Sequence, residues 1–61
     1  MAVFENTQSI KETLRAVLCV IDGKQHWVPK SQITDNSEIW KTDQEGELVT
    51  TDWWAEKAGL L

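Results

Sequence analysis

His26 and Cys19 are the residues of this chain best suited to chemistry, and the 61-residue sequence has one of each. A histidine beside a thiol can generate a reactive thiolate. The two become cross-strand neighbours if the intervening Asp22-Gly23 closes a two-residue turn. The thiol, however, lies between Leu18 and Val20 in an apolar run, which is the setting of an inert core cysteine. Carboxylate pairs such as Glu45 and Glu47 read as a charged turn rather than a general acid-base pair. There is no Gly-rich phosphate loop, and one Cys with one His leaves a zinc site short of ligands. No catalytic residue, cofactor or metal site is expected, and the chain reads as a binder rather than an enzyme.

Two groups of residues could serve binding. The first is Lys24, His26, Trp27 and Lys30, in which cations flank an aromatic ring, a pattern that can hold phosphates while the ring stacks a base. The second lies in the carboxy-terminal half: Trp40, Trp53 and Trp54 with Asp43, Glu45 and Glu47. Four tryptophans are more than a core of this size needs, so some are expected at a contact or a self-interface. Charge separates the two groups. Residues 11–34 carry a net +2 and residues 35–56 a net −6, within an overall charge of −4. An acidic face of that kind suits a basic partner or a head-to-tail neighbour.

The elements that must position these residues follow from patterning. Residues 1–10 are weakly patterned and are expected as an edge strand through Val3 and Phe4 or as a mobile tail. Thr13–Ile21 is apolar on nearly both parities and rich in β-branched residues, so it predicts a central strand, with a helix over Lys11–Val20 as the competitor. Asp22-Gly23 predicts a type I′ hairpin to Lys24–Val28, pairing Ile21 with Lys24, Cys19 with His26 and Leu18 with Trp27. Trp27 is thereby expected in the core, against the all-apolar face Leu14, Ala16, Leu18 and Val20. Pro29 ends that strand. A second hairpin is expected from Glu38–Lys41 and Glu47–Thr51, with Ile39 and Trp40 on opposite faces. Asp52 is the expected N-cap of a helix over Trp53–Ala58, closed by Gly59, with Trp54, Ala58 and Leu61 on one stripe and Trp53 and Lys57 on the other.

The fold class expected is α+β, mostly β: one small domain over residues 1–61, an antiparallel sheet of three to five strands with a short C-terminal helix. A chain this short without disulfides gains stability by self-association, so a homodimer or higher oligomer is expected. The lone cysteine and the lack of a signal peptide or membrane-spanning run suggest a cytoplasmic protein with no membrane partner.

The segment Ile21-Asp22-Gly23-Lys24-Gln25-His26-Trp27-Val28-Pro29-Lys30-Ser31-Gln32-Ile33 resembles very short proteins encoded by bacteriophages and mobile elements. Asp35–Lys41, Glu47-Leu48-Val49 and Trp53-Trp54-Ala55-Glu56-Lys57 fit the same resemblance, which spans residues 13–61. It implies a phage-type accessory protein in the cytoplasm of a bacterial host that binds and blocks a host or defence component, either a protein or a nucleotide signal. The strand-strand-strand-strand-helix order is also similar to the small, dimeric, PC4-like folds that bind single-stranded DNA, and to small barrels. Single-stranded nucleic-acid binding through Lys24, His26, Trp27, Lys30 and Trp40 is therefore the alternative expectation, and a structural assembly subunit a third.

Overall fold

The computed structural model describes all 61 residues. Four antiparallel strands, β1 (Ala2–Glu12), β2 (Ala16–Ile21), β3 (Lys24–Pro29) and β4 (Glu45–Thr50), form one open sheet in the order β3-β2-β1-β4. A short 3-10 turn (Lys30–Gln32) follows β3, and helix α1 (Asp52–Lys57) follows β4. Three strands joined by consecutive hairpins, with a fourth returning beside the first, make a Greek key. No helix is long and apolar enough to cross a membrane.

The β2–β3 hairpin forms as its sequence dictates. Asp22 and Gly23 take φ of 51° and 79°, as a type I′ turn requires. The register pairs Ile21 with Lys24, Cys19 with His26 and Leu18 with Trp27. The face that becomes core is the other one, however. Val17, Cys19, Ile21 and Val28 lie under the helix, so Trp27 stands on the opposite face and is 48% exposed rather than buried. Leu14, the first residue of the expected apolar face, is exposed in the β1–β2 turn.

Residues 1–10 form neither a tail nor an edge. β1 is an interior strand, hydrogen-bonded to β2 on one side and β4 on the other. Two irregularities interrupt it. The register with β4 shifts between Phe4 and Thr7, where Asn6 takes a left-handed φ of 56°, and the register with β2 shifts between Ser9 and Lys11. Such bulges bend a strand and re-aim its side chains. Here they carry the inward positions from Ala2 and Phe4 to Thr7 and Ser9. Ser9 Oγ donates to the carbonyl of Lys41 and accepts from the Gln44 N–H at 2.8 Å, which ties the 33–44 connection to the sheet.

That connection replaces the expected second hairpin. Glu38–Lys41 is irregular, and β4 pairs with β1 instead. Residues 33–38 run along the outer edge of β4. Thr34 N–H donates to the Val49 carbonyl at 2.9 Å and Glu38 N–H to the Glu47 carbonyl at 2.8 Å, while Ser37 Oγ accepts from the Val49 N–H at 3.2 Å. Ile39 is fully buried in the core and Trp40 faces outward, as their adjacency requires.

Helix α1 closes the core face with Trp54 and Ala55, packed among Val17, Cys19, Val28, Ile33, Ile39 and Leu48. Thr51 rather than Asp52 is the N-cap, its hydroxyl accepting from the Trp54 N–H at 3.3 Å. The C-terminus is a Schellman motif: Leu60 N–H reaches the Ala55 carbonyl and Gly59 N–H the Glu56 carbonyl, with Gly59 at φ 75°. The motif turns Leu60 against the core and leaves Leu61 exposed, so Leu61 does not share the Trp54 stripe.

Candidate acidic binding site

The Cys19–His26 pair is adjacent in the ladder but not built for catalysis. Cys19 is fully buried, and burial pushes its thiol up to about 11. This is opposite to the shift that makes a reactive thiolate. His26 turns onto the core, its ring edge-to-face with Trp54 at 6.3 Å between centroids, and its buried Nε2 has no hydrogen-bond partner. The native protein is therefore expected to resist alkylation by iodoacetamide at neutral pH and to react fully once unfolded in urea. Rapid modification of the native state would show that the strand opens. The same burial carries a pH dependence. The folded thiol holds its proton above the unfolded thiol's ordinary value of 9.0. The Cys19 contribution to stability is fully present below pH 9 and is lost as pH rises from 9 to about 11.

The basic and aromatic group around β3 is dispersed by the fold. Lys24 and His26 alternate with Trp27 across the strand, so the exposed Lys24 and the exposed Trp27 ring lie on opposite faces. Lys30 is engaged with Glu12, Nζ to Oε2 at 2.8 Å. That bond and the Thr42 N–H hold the Glu12 carboxyl below its ordinary range.

The acidic half is the part that converges. The β1–β4 pairing and the 33–44 connection bring Glu5, Asn6, Glu38, Gly46 and Glu47 around an open hollow of about 330 Å³ with no apolar lining residue. Each wall has a local cause. The bulge at Asn6 re-aims the β1 backbone opposite Gly46. Gly46 sits at φ 145°, which favours glycine, and a Cβ there would lie 2.6 Å from Glu38 Oε1 and displace that carboxylate. Glu38 Oε1 accepts the Glu47 N–H at 2.8 Å, which fixes that carboxylate against β4. None of the three carboxylates has a cation within ion-pair distance, since the two ion pairs of the protein involve Asp52 and Glu12. The chain contains no grouping of acidic, His and Cys side chains arranged to hold a metal ion.

Trp40 is not part of the lining but lies two residues beyond Glu38 in the same connection. Burial alternates along the connection, with Ser37 and Ile39 inward and Glu38 and Trp40 outward. The ring is not loose: its Nε1–H donates to the Ser37 carbonyl at 2.9 Å, and its backbone N–H to Gln44 Oε1 at 2.6 Å. Of the residues expected from charge and aromatic content, Glu47 lines the hollow, and Asp43, Glu45 and Trp40 are exposed on the segment leading into it. Trp53 and Trp54 belong elsewhere. Trp54 is core, while Trp53 is 58% exposed under the Lys57 ammonium, 5.1 Å from the ring centroid. Glu5 and Glu38 were not expected. The long-range pairing of β1 with β4, which places them, leaves no signal in local sequence. Comparison with known proteins finds no family model, no curated protein and no solved structure that matches the chain.

Proposed function

We propose that this chain is a non-enzymatic, phage-type accessory protein that acts by occupying a basic surface on a host or defence protein. The observation that carries the reading is the unneutralised hollow of Glu5, Glu38 and Glu47, with the anchored, outward-facing Trp40 two residues on from Glu38 in the chain. Three carboxylates held without a counter-ion repel one another, and a cation from a partner relieves that repulsion. A guanidinium suits the place best, because its planar fork matches a carboxylate and its face stacks on an indole. The same charge disfavours an anionic nucleotide signal or a nucleic-acid strand, so the partner is read as a protein. The resemblance of residues 13–61 to small phage and mobile-element proteins supports the host or defence setting.

A short arginine-rich peptide serves as the probe, with binding followed by intrinsic tryptophan fluorescence at low salt. Saturable binding that weakens as salt is added is the expected result. A Glu5→Gln/Glu38→Gln/Glu47→Gln variant with an unchanged far-UV spectrum is expected to bind about tenfold more weakly or worse. Equal affinity in that variant, or binding insensitive to salt, would remove the hollow from the interface.

A further inference from the structure

The two edges of the sheet differ. Residues 33–38 cover the outer edge of β4, whereas no segment pairs with the outer edge of β3. Within β3 the open groups are identifiable. A two-residue turn makes Ile21 and Lys24 a hydrogen-bonded pair, and this repeats at Cys19–His26 and Val17–Val28. The N–H and C=O groups of Gln25 and Trp27 therefore point away from β2. Natural sheets blunt such an edge with lysine, proline or a covering segment. Here Lys24 and Pro29 mark only its ends, and the middle is open.

We propose that β3 pairs antiparallel with β3 of a second copy, about a two-fold axis through His26, continuing the sheet from four strands into eight. The register is set by which groups are free. Pairing Gln25 with Trp27 of the copy, and Trp27 with its Gln25, satisfies the outward N–H and C=O groups of both residues on each chain. A slip of two residues toward the strand exit sets Gln25 opposite Pro29, which has no N–H. A slip the other way sets Trp27 opposite Gly23 in the turn. Only the His26-centred register uses all the open groups.

Side chains agree with that register. The two half-exposed Trp27 rings become diagonal neighbours on the same face, within aromatic reach across the axis. The hairpin tip of each copy meets the strand exit of the other, which brings Asp22 toward the Lys30 that already bonds Glu12. The self-matching edge, with the same two residues supplying the open groups on both sides, favours a second copy over an unrelated strand. The hollow of Glu5, Glu38 and Glu47 lies at the far, β4 side of the sheet, so the dimer leaves both hollows free and presents two per particle.

Sedimentation equilibrium on the full chain, from micromolar to millimolar, tests this. The expected mass rises with concentration to twice the 7.0 kDa of one chain. Gln25→Pro removes an outward N–H without touching the β2–β3 ladder, and is expected to be folded and monomeric over the same range. Trp27→Lys alters only an exposed side chain and places like charges diagonally across the axis. It is expected to weaken the dimer about tenfold or more. A wild-type chain that stays monomeric throughout would overturn the proposal. So would a folded Gln25→Pro or Trp27→Lys variant that dimerises as wild type, because self-association would then use another surface.

Discussion

A chain that begins at Lys11 is expected not to fold. Removing residues 1–10 takes Ala2 and Phe4 from the packing around Trp54, and with them the buried Thr7 and Ser9. The larger loss is connectivity. β1 lies between β2 and β4, and the deleted part of it, residues 2–10, carries the whole pairing with β4 and part of that with β2. What remains is the β2–β3 hairpin and an unattached β4 with its helix, and an isolated hairpin is marginal in water. At about 0.05–0.15 kcal/mol per residue, a 61-residue domain has roughly 3–9 kcal/mol of stability in total. The loss of the β1–β4 ladder, part of the β1–β2 ladder and three of the sixteen buried residues, Ala2, Thr7 and Ser9, exceeds it. The amide proton–nitrogen correlation spectrum of residues 11–61 is expected to collapse to the dispersion of an unfolded chain. A dispersed spectrum with a cooperative melt would show that β1 is dispensable.

Why β1 is hard to read in the sequence follows from its bulges. A strand is recognised by period-two alternation, and one extra residue flips every side chain beyond it to the other face. The inward set here begins at even positions, Ala2 and Phe4, and continues at odd positions, Thr7 and Ser9. Two of those four are hydroxyl residues, whose burial is offset by bonds to the carbonyls of Phe4, Lys41 and Gln44. No apolar stripe survives that shift. The β2–β3 hairpin is the reverse case. Its turn type follows from Asp22-Gly23, and the register follows from the turn, so the pairs from Ile21–Lys24 to Val17–Val28 are legible locally, while Ala16–Pro29 extends the strand one residue past its expected end. What local pattern cannot decide is which face of a doubly apolar strand receives the helix. That choice rests on where α1 lands after β4, and it decides that Trp27 faces out. The site divides the same way. Glu47, Asp43 and Glu45 are visible as local charge density, while Glu5 and Glu38 reach the hollow only through β1–β4 pairing and the 33–44 connection.

Trp54→Ala is expected to unfold most of the protein, and Trp53→Ala to be nearly silent, although the residues are neighbours in one helical turn. Consecutive helical residues point about 100° apart, so only one can face the sheet. Trp54 is 6% exposed and meets Phe4 and His26 edge-to-face, at 6.2 and 6.3 Å between centroids. Removing such a ring costs about 3–5 kcal/mol, which is most of the stability available to a domain of this size. The helix has no independent means of support. It is six residues long, far below the length at which a helix persists alone, and Trp54 and Ala55 are its two buried residues. Losing Trp54 therefore frees the segment that covers the core, and the damage extends beyond the cavity. Trp53 lies under Lys57 in solvent, where a surface truncation changes stability by about 0.5 kcal/mol or less. Urea titrations followed by far-UV circular dichroism separate the two, with the Trp54→Ala transition shifted close to zero denaturant and that of Trp53→Ala unmoved. Equal shifts would mean that the Trp53 ring is covered in solution. Covering it would take a second surface at the helix start, and the Gln25→Pro monomer shows whether that surface comes with dimerisation. If Trp53→Ala destabilises wild type and leaves that monomer unaffected, the covering surface belongs to another copy of the chain.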